Sequence, residues 1–120
     1  MSVWHAIYGR RDKASQVEGL SDDLRLALQT ALIGQITPAM RLISVEQDEA
    51  AVRVVVFFDK ALADEDRTEF EDEVASCVGL KVGDPPAGPA VACFFVRCDE
   101  PQRVPVRGEI VFSRKGVSAF

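Results

Sequence analysis

The stretch "VRVVVFFDKALADEDRTEFEDEV" (52–74) determines the fold of this chain, because its hydrophobic pattern changes from that of a strand to that of a helix. The first seven residues are almost all apolar and rich in β-branched valine, which is typical of a strand. Beyond them, apolar residues recur one or two helical turns apart; they are Phe70, Val74, Cys77 and Val78. This spacing predicts an amphipathic helix over about residues 63–79.

The same kinds of element occur on both sides of this stretch. Upstream, "SDDLRLALQTALIGQI" has leucines at helical spacing, and its first residue, Ser21, is a typical N-cap. A hairpin follows, with strands predicted near residues 39–46 and 51–58. Downstream of the acidic helix, apolar and β-branched segments predict strands at about 90–98 and 109–115.

Helix–strand–strand therefore occurs twice, and this order predicts an α+β fold with two layers. We expect a four-stranded, largely antiparallel sheet with both helices on one face. Hydrophobic residues make up 48% of the 120 residues, enough for a core, so 1–120 is predicted to be a single domain. Its predicted parts are an arm or extra strand at 1–20, a helix plus hairpin at 21–59, and a helix plus two strands at 60–120.

The second face of this sheet also needs a cover. Val55 and Phe57 point away from the face that carries Val54, Val56 and Phe58, since side chains alternate along a strand. Because both faces are apolar, the two helices leave one apolar face unaccounted for. Three covers are open at this point: the N-terminal "VWHAIY" segment, a second copy of the chain in a homodimer, or a different protein.

The overall charge limits the class of partner. Lys and Arg number 14 against 19 Asp and Glu, so the formal net charge is -5. An acidic chain is a poor ligand for nucleic acid or for an anionic membrane, and it attracts basic proteins. The sequence has no apolar run of transmembrane length, and its N-terminus lacks the order of a secretory signal, so we expect a cytoplasmic protein.

No group of residues in the sequence predicts catalysis. His5 is the single histidine, and no partner for acid–base chemistry is evident. The three cysteines lack a metal-binding spacing and are expected to be reduced thiols. They are Cys77, Cys93 and Cys98. The carboxylates of Asp59, Asp64 and Asp66 lack the spacing and central glycine of a calcium loop. We therefore predict no catalytic residue, no metal and no cofactor.

The acidic run is the most unusual feature of the chain. Residues 57–73 contain eight acidic and two basic side chains, too few cations to neutralise the run through i,i+4 pairs. With about 100° of rotation per residue, Glu65, Glu69 and Asp72 form one stripe beside the buried edge of the helix, and Asp64 and Glu71 lie across its exposed face. A solvated surface is the ordinary interpretation, but the surplus charge favours a surface that binds a basic partner. The predicted partner-binding residues, ending with two apolar anchors, are Asp59, Asp64, Glu65, Glu69, Asp72, Glu73, Phe57 and Trp4.

Four segments follow one another in an order that is more specific than any segment alone. They are "LRLALQTALIGQITPAMRLISV", "VRVVVFFDKALADEDRTEFEDEVASCV", "FFVRCDEP" and "GEIVFSRK". In this order, over about residues 24–115, the chain resembles small bacterial immunity proteins of polymorphic toxin and contact-dependent growth inhibition systems. The positions that match the family pattern are Phe57, Phe58, Asp59, Leu62, Glu65, Asp66, Arg97, Asp99, Pro101, Arg114 and Lys115.

Two positions depart from the family pattern, and both lie between the strand and the acidic helix. Lys60 stands where the pattern has glycine, so the tight turn is expected to differ. Ala63 stands where the pattern has a serine or threonine cap, which leaves Asp64 as the expected substitute.

The resemblance implies a protein that binds the C-terminal domain of a cognate toxin and blocks it. Many delivered toxins are basic nucleases, so carboxylates can stand in place of phosphates, and complementary charge accelerates the encounter. Two other functions are compatible with the residues. One is a homo-oligomeric interaction or regulatory domain without catalytic activity, and the other is a small enzyme that uses carboxylates.

Overall fold

The computed structural model describes residues 20–48, 51–85 and 87–117. In this part of the chain the predicted order of helix, strand and strand occurs twice. The elements are α1 (Asp22–Leu32), β1 (Met40–Gln47), β2 (Ala51–Phe58), α2 (Asp64–Val82), β3 (Ala90–Arg97) and β4 (Glu109–Ser113). Helix α2 extends beyond the predicted end at Gly79 and stops at Gly83, whose φ of 100° is a left-handed conformation that suits glycine. No helix in these residue ranges is long and apolar enough to cross a membrane.

The four strands form one mixed sheet with the order β3-β2-β1-β4. Strand β1 pairs antiparallel with both β2 and β4, while β2 and β3 run parallel from Ala51↔Ala90 to Phe58↔Arg97. The parallel pair follows from α2, since a parallel connection needs a crossover and an intervening helix provides it. The predicted α+β class and the largely antiparallel sheet are confirmed.

The two helices cover the same face of the sheet, as predicted. Residues from α1 and α2 share one buried cluster with the inward side chains of β1 and β2, including Val54, Val56 and Phe58. On this face the rings of Phe70 and Phe95 meet edge to face, with centroids 5.8 Å apart. The second face of the sheet is therefore left for another segment to cover.

The connection between β3 and β4 supplies that cover. These strands lie at opposite edges of the sheet, so the segment from residue 98 to 108 must cross beneath β2 and β1. Within it, Val104 is fully buried in a second apolar cluster with Leu42, Val55 and Phe57. This segment is not among the three covers that the sequence leaves open. Because Phe57 is 0% exposed, the expectation that it forms an apolar anchor at the surface needs correction.

The two helices begin differently. Ser21 is the N-cap of α1, as predicted, and its Oγ accepts a hydrogen bond from the Leu24 amide at 3.2 Å. Ala63 is the N-cap of α2 and provides no side-chain hydrogen bond. Asp64 is the first helical residue, so the expectation that it replaces the missing cap is wrong. The negative charge of Asp64 still stabilises α2, because it lies at the positive end of the helix dipole.

We therefore predict that Ala63→Ser stabilises the chain. A serine at the N-cap accepts a bond from an otherwise unpaired amide, and such a cap contributes about 1 kcal/mol to the free energy of unfolding. Urea titration monitored by circular dichroism measures this gain. Ser21→Ala is the matched control and should lose a similar amount at α1; an unchanged or lower stability of Ala63→Ser would contradict the prediction.

Candidate functional site

Charged side chains gather at one end of the sheet. Asp59 directly follows β2, Arg97 ends β3, and Arg114 directly follows β4. These three positions meet because β2 and β3 run parallel, and because β1 starts at this end and is antiparallel to both β2 and β4. With Asp99 and Glu100 they form what we call the ion-pair cluster.

Arg114 is the main connector of this cluster. Its guanidinium binds Asp59 through two hydrogen bonds, of 2.6 Å to Oδ2 and 3.3 Å to Oδ1. The same guanidinium donates to the Pro38 carbonyl oxygen at 2.8 Å and to Glu100 Oε1 at 2.9 Å. The hydrogen bond from Arg114 holds the pKa of Asp59 below its ordinary value, although partial burial opposes the shift. Asp59 is only 6% exposed, so its charge serves the fold.

Asp99 holds the turn that leads out of β2. Its carboxylate pairs with Arg97 at 2.9 and 3.1 Å, which lowers the pKa of Asp99, and it accepts a bond from the Lys60 amide at 3.2 Å. Lys60 has a φ of 58°, a left-handed conformation that is unusual for a residue with a side chain. At Lys60 the chain therefore adopts a backbone conformation that glycine favours, and the Asp99 carboxylate helps to hold it there.

Arg41 adds a buried charge beside this cluster. It is 2% exposed, and its Nη1 donates to the Cys98 carbonyl oxygen at 2.5 Å. Its positive charge also lowers the pKa of Asp59 and Asp99 slightly. Arg41 and Glu100 are not predicted from the sequence, because a lone charged residue in a strand or loop gives no signal of burial or pairing before the sheet is known.

Helix α2 presents a second, very different set of charges. Six carboxylates on its outer sides are exposed, and we call them the acidic face. They are Asp64, Glu65, Glu69, Glu71, Asp72 and Glu73. Among the described residues, none of these six forms a salt bridge. The guanidinium of Arg67, on the same helix, lies on the sheet side instead, 5.2 Å from the Phe58 ring centroid.

The negative charge of α2 acts on two thiols, Cys93 on the neighbouring strand β3 and Cys77 on α2 itself. Burial, and to a lesser extent the charge of Glu71, raises the pKa of the Cys93 thiol on β3 to about 12. The pKa of Cys77 is raised by burial and by Glu73, whose Oε1 lies 3.8 Å from Cys77 Sγ. Both thiols therefore stay protonated at neutral pH and act as small apolar groups.

The predicted partner-binding residues thus fall into three groups. Five lie on the acidic face, beside Glu71, which is exposed there as well. Asp59 and Phe57 are buried and serve the ion-pair cluster and the second apolar cluster. Trp4 lies outside the described residues. Among the described residues, no group of three His, Cys, Asp or Glu side chains could hold a metal ion.

Comparison with known proteins identifies the class. Residues 21–116 match the family model described as MafI2 immunity protein. The match includes every described helix and strand, together with the ion-pair cluster and the acidic face. A search of curated proteins gives no match.

The chain is therefore a small immunity protein of a bacterial polymorphic toxin system, which confirms the resemblance. Within that class it belongs to the MafI2 immunity protein family. Its function is immunity against a toxin, and its partner is a toxin protein.

The strained turn leads to a prediction for Lys60→Gly. Glycine adopts a positive φ without steric cost, so this variant should raise the free energy of unfolding by about 1 kcal/mol. Lys60→Ala is the control: it removes the same charge but keeps the strain, and it should leave stability nearly unchanged. Equal effects of the two variants in urea titration would show that the side chain, not the backbone, is responsible.

The Asp59–Arg114 pair leads to a prediction about pH. Arg114→Met leaves the buried Asp59 carboxylate without its strongest partner and should cost about 2 kcal/mol at pH 7. Because the pKa of Asp59 is lowered in the folded state, the pair stabilises above the unfolded pKa of about 4 and loses this effect as pH falls further. The cost of the substitution should therefore shrink in acid, as measured by thermal unfolding at pH 7 and pH 3.

Arg97→Met is the matched control for this measurement. It removes an arginine from the same cluster, but the Arg97 side chain is 58% exposed and its pair with Asp99 is open to solvent. Exposed pairs contribute little to stability, so the effect should be much smaller than that of Arg114→Met. Equal losses in the two variants would contradict the special role of the buried pair.

Proposed function

We propose that this immunity protein neutralises its toxin by binding a basic surface of the toxin through the acidic face of α2. The observation that carries the proposal is the absence of salt bridges from these six exposed carboxylates to described residues. Elsewhere in the described chain, carboxylates such as Asp59, Asp99 and Glu109 pair with arginines of the same chain. On the acidic face six neighbouring negative charges are left for a partner.

The like charges on α2 have a cost in the free chain. Glu65, Glu69 and Glu73 follow one another at i,i+4 spacing, and each like-charge neighbour of this kind destabilises a helix by about 0.2–0.5 kcal/mol. A basic toxin surface would remove this repulsion and gain from the complementary charge. Complementary charge increases the association rate, and the increase falls as salt screens the charges.

The proposal also specifies the kind of toxin, the way in which it is inhibited and the place where this happens. A toxin that cleaves nucleic acid needs a basic surface to bind phosphate, so a nuclease domain at the C-terminus of a larger toxin is the partner that fits the acidic face best. The immunity protein would act by occlusion, without catalysis of its own, in the cytoplasm of the cell that it protects. In the same proposal, the toxin is delivered by contact between neighbouring cells.

The test is co-expression with the toxin domain encoded beside the immunity gene. The unaltered chain should protect the host and bind an inactivated form of that domain. Glu65→Gln/Glu69→Gln should weaken binding by about tenfold or more at low salt, mainly through slower association, because two central charges of the acidic face are lost. Surface plasmon resonance over a series of salt concentrations measures the effect.

The control variant is Asp22→Asn/Asp23→Asn. It changes the net charge by the same amount, and both residues are exposed in the first turn of α1, a different helix from the one that carries the acidic face. Its association rate should stay close to that of the unaltered chain. Equal weakening by both variants would show that net charge alone matters, and lack of protection by the unaltered chain would refute the proposed function itself.

A further inference from the structure

Strand β3 is an outer strand of the sheet, and its outer edge is unusually regular. Its eight residues pair with β2 in continuous register, without a bulge. Its sequence, "AVACFFVR", contains neither proline nor lysine, the residues that commonly protect an exposed edge. The opposite outer strand, β4, is five residues long and has a register shift against β1 between Ile43 and Ser44.

The hydrogen bonds of β3 show which backbone groups face outward. The amide of Cys98, which directly follows β3, donates to the Phe58 carbonyl oxygen of β2 at 2.8 Å. Because the direction of backbone groups alternates along a strand, the N–H and C=O groups of Val91, Cys93 and Phe95 point away from β2. The strand order places no other strand from residues 20–48, 51–85 or 87–117 on that side.

The side chains at this edge are also incompletely covered. From residue 91 to 95, every position of β3 is only partly buried, whereas β2 is almost fully buried. The side chains of Val91, Cys93 and Phe95 lie on the helix face, where they pack at the margin of the main core. A neighbouring strand would bury this margin and pair the outward backbone groups at the same time.

The acidic face extends toward this edge. Helix α2 packs on the β3 side of the sheet, with Phe70 against Phe95 and Arg67 5.7 Å from the Phe95 ring centroid. Glu71 is close enough to Cys93 to act on its thiol electrostatically. A segment that pairs with β3 would therefore run beside exposed carboxylates, which favours lysine or arginine on its helix-facing positions.

We infer that the outer edge of β3 is a docking site for an extended segment of the toxin, which pairs with β3 as an added strand and carries basic side chains beside α2. This inference rests on the proposed function and extends it, since it names the part of the immunity protein that provides backbone recognition. Backbone pairing supplies affinity that does not depend on salt, while the acidic face supplies fast, salt-dependent association.

Amide hydrogen exchange tests the inference on the full chain, free and bound to the inactivated toxin domain encoded beside its gene. In the free chain the amides of Val91, Cys93 and Phe95 should exchange fast, and those of Ala92 and Phe94 slowly. In the complex all five should be protected, with at least a tenfold slowing for the three outward amides. Binding without this slowing would overturn the docking site and leave the proposed function standing, whereas lack of any binding would refute the proposed function first.

Protection in the free chain would also overturn the inference. If the protection depends on protein concentration, a second copy of the chain occupies the edge. If it does not, another segment of the same chain occupies it. Analytical ultracentrifugation over the same concentrations distinguishes these two outcomes by the mass of the particle.

A proline substitution provides an independent measurement. Cys93→Pro removes an outward N–H that β2 does not use, and proline is tolerated in an edge strand when its nitrogen faces outward. Toxin affinity should fall by about tenfold or more, because an added strand loses a hydrogen bond and meets the proline ring. Cys93→Ala keeps the N–H and should bind nearly as tightly as the unaltered chain; equal affinity of both variants would overturn the docking site. If Cys93→Pro does not fold, the exchange measurement decides alone.

Discussion

The need to bury β2 on both faces is the constraint on which this fold depends. Its valines and phenylalanines are buried on the helix face and on the opposite face alike. One face is covered by α1 and α2, and α2, which lies between β2 and β3 in the chain, provides the crossover that allows β3 to pair parallel with β2. That places β3 and β4 at opposite edges, so the chain crosses the second face between them and brings Val104 onto Phe57. If the second face of β2 were polar, it could stay exposed to water, and no segment would need to cover it.

The same topology explains how charged residues from distant parts of the chain come to serve the fold. Asp59, Arg97, Asp99 and Arg114 come from three distant segments and meet at one end of the sheet, where they connect the strand ends and hold the turn at Lys60. Asp59 is buried, and a buried carboxylate without its arginine would be strongly unfavourable.

Sequence reasoning gave the elements, the class and the two faces of each strand because these depend on local periodicity. It placed Val55 and Phe57 on one face and Val54, Val56 and Phe58 on the other, as the two clusters show. Prediction from the sequence failed where long-range contacts determine which residues are buried or paired. Nothing local distinguishes Asp59, buried beside Arg114, from Glu69, exposed on α2, and nothing in "DEPQRVPVRG" indicates that Val104 fills a core. The parallel pairing of β3 with β2 also needed the whole topology, although the length of α2 permitted it.

Two features of the molecule are unfavourable in the free chain and lie side by side. The carboxylates of α2 repel one another, and the regular outer strand β3 exposes backbone groups that commonly promote association. Proteins usually avoid both features, and the described part of this chain mostly avoids them elsewhere: most of its other carboxylates pair with arginines, and β4 is short and irregular. Both unfavourable features become favourable when a basic, extended segment occupies the β3 edge. A single partner therefore accounts for both, whereas solvation of an acidic helix accounts for only one.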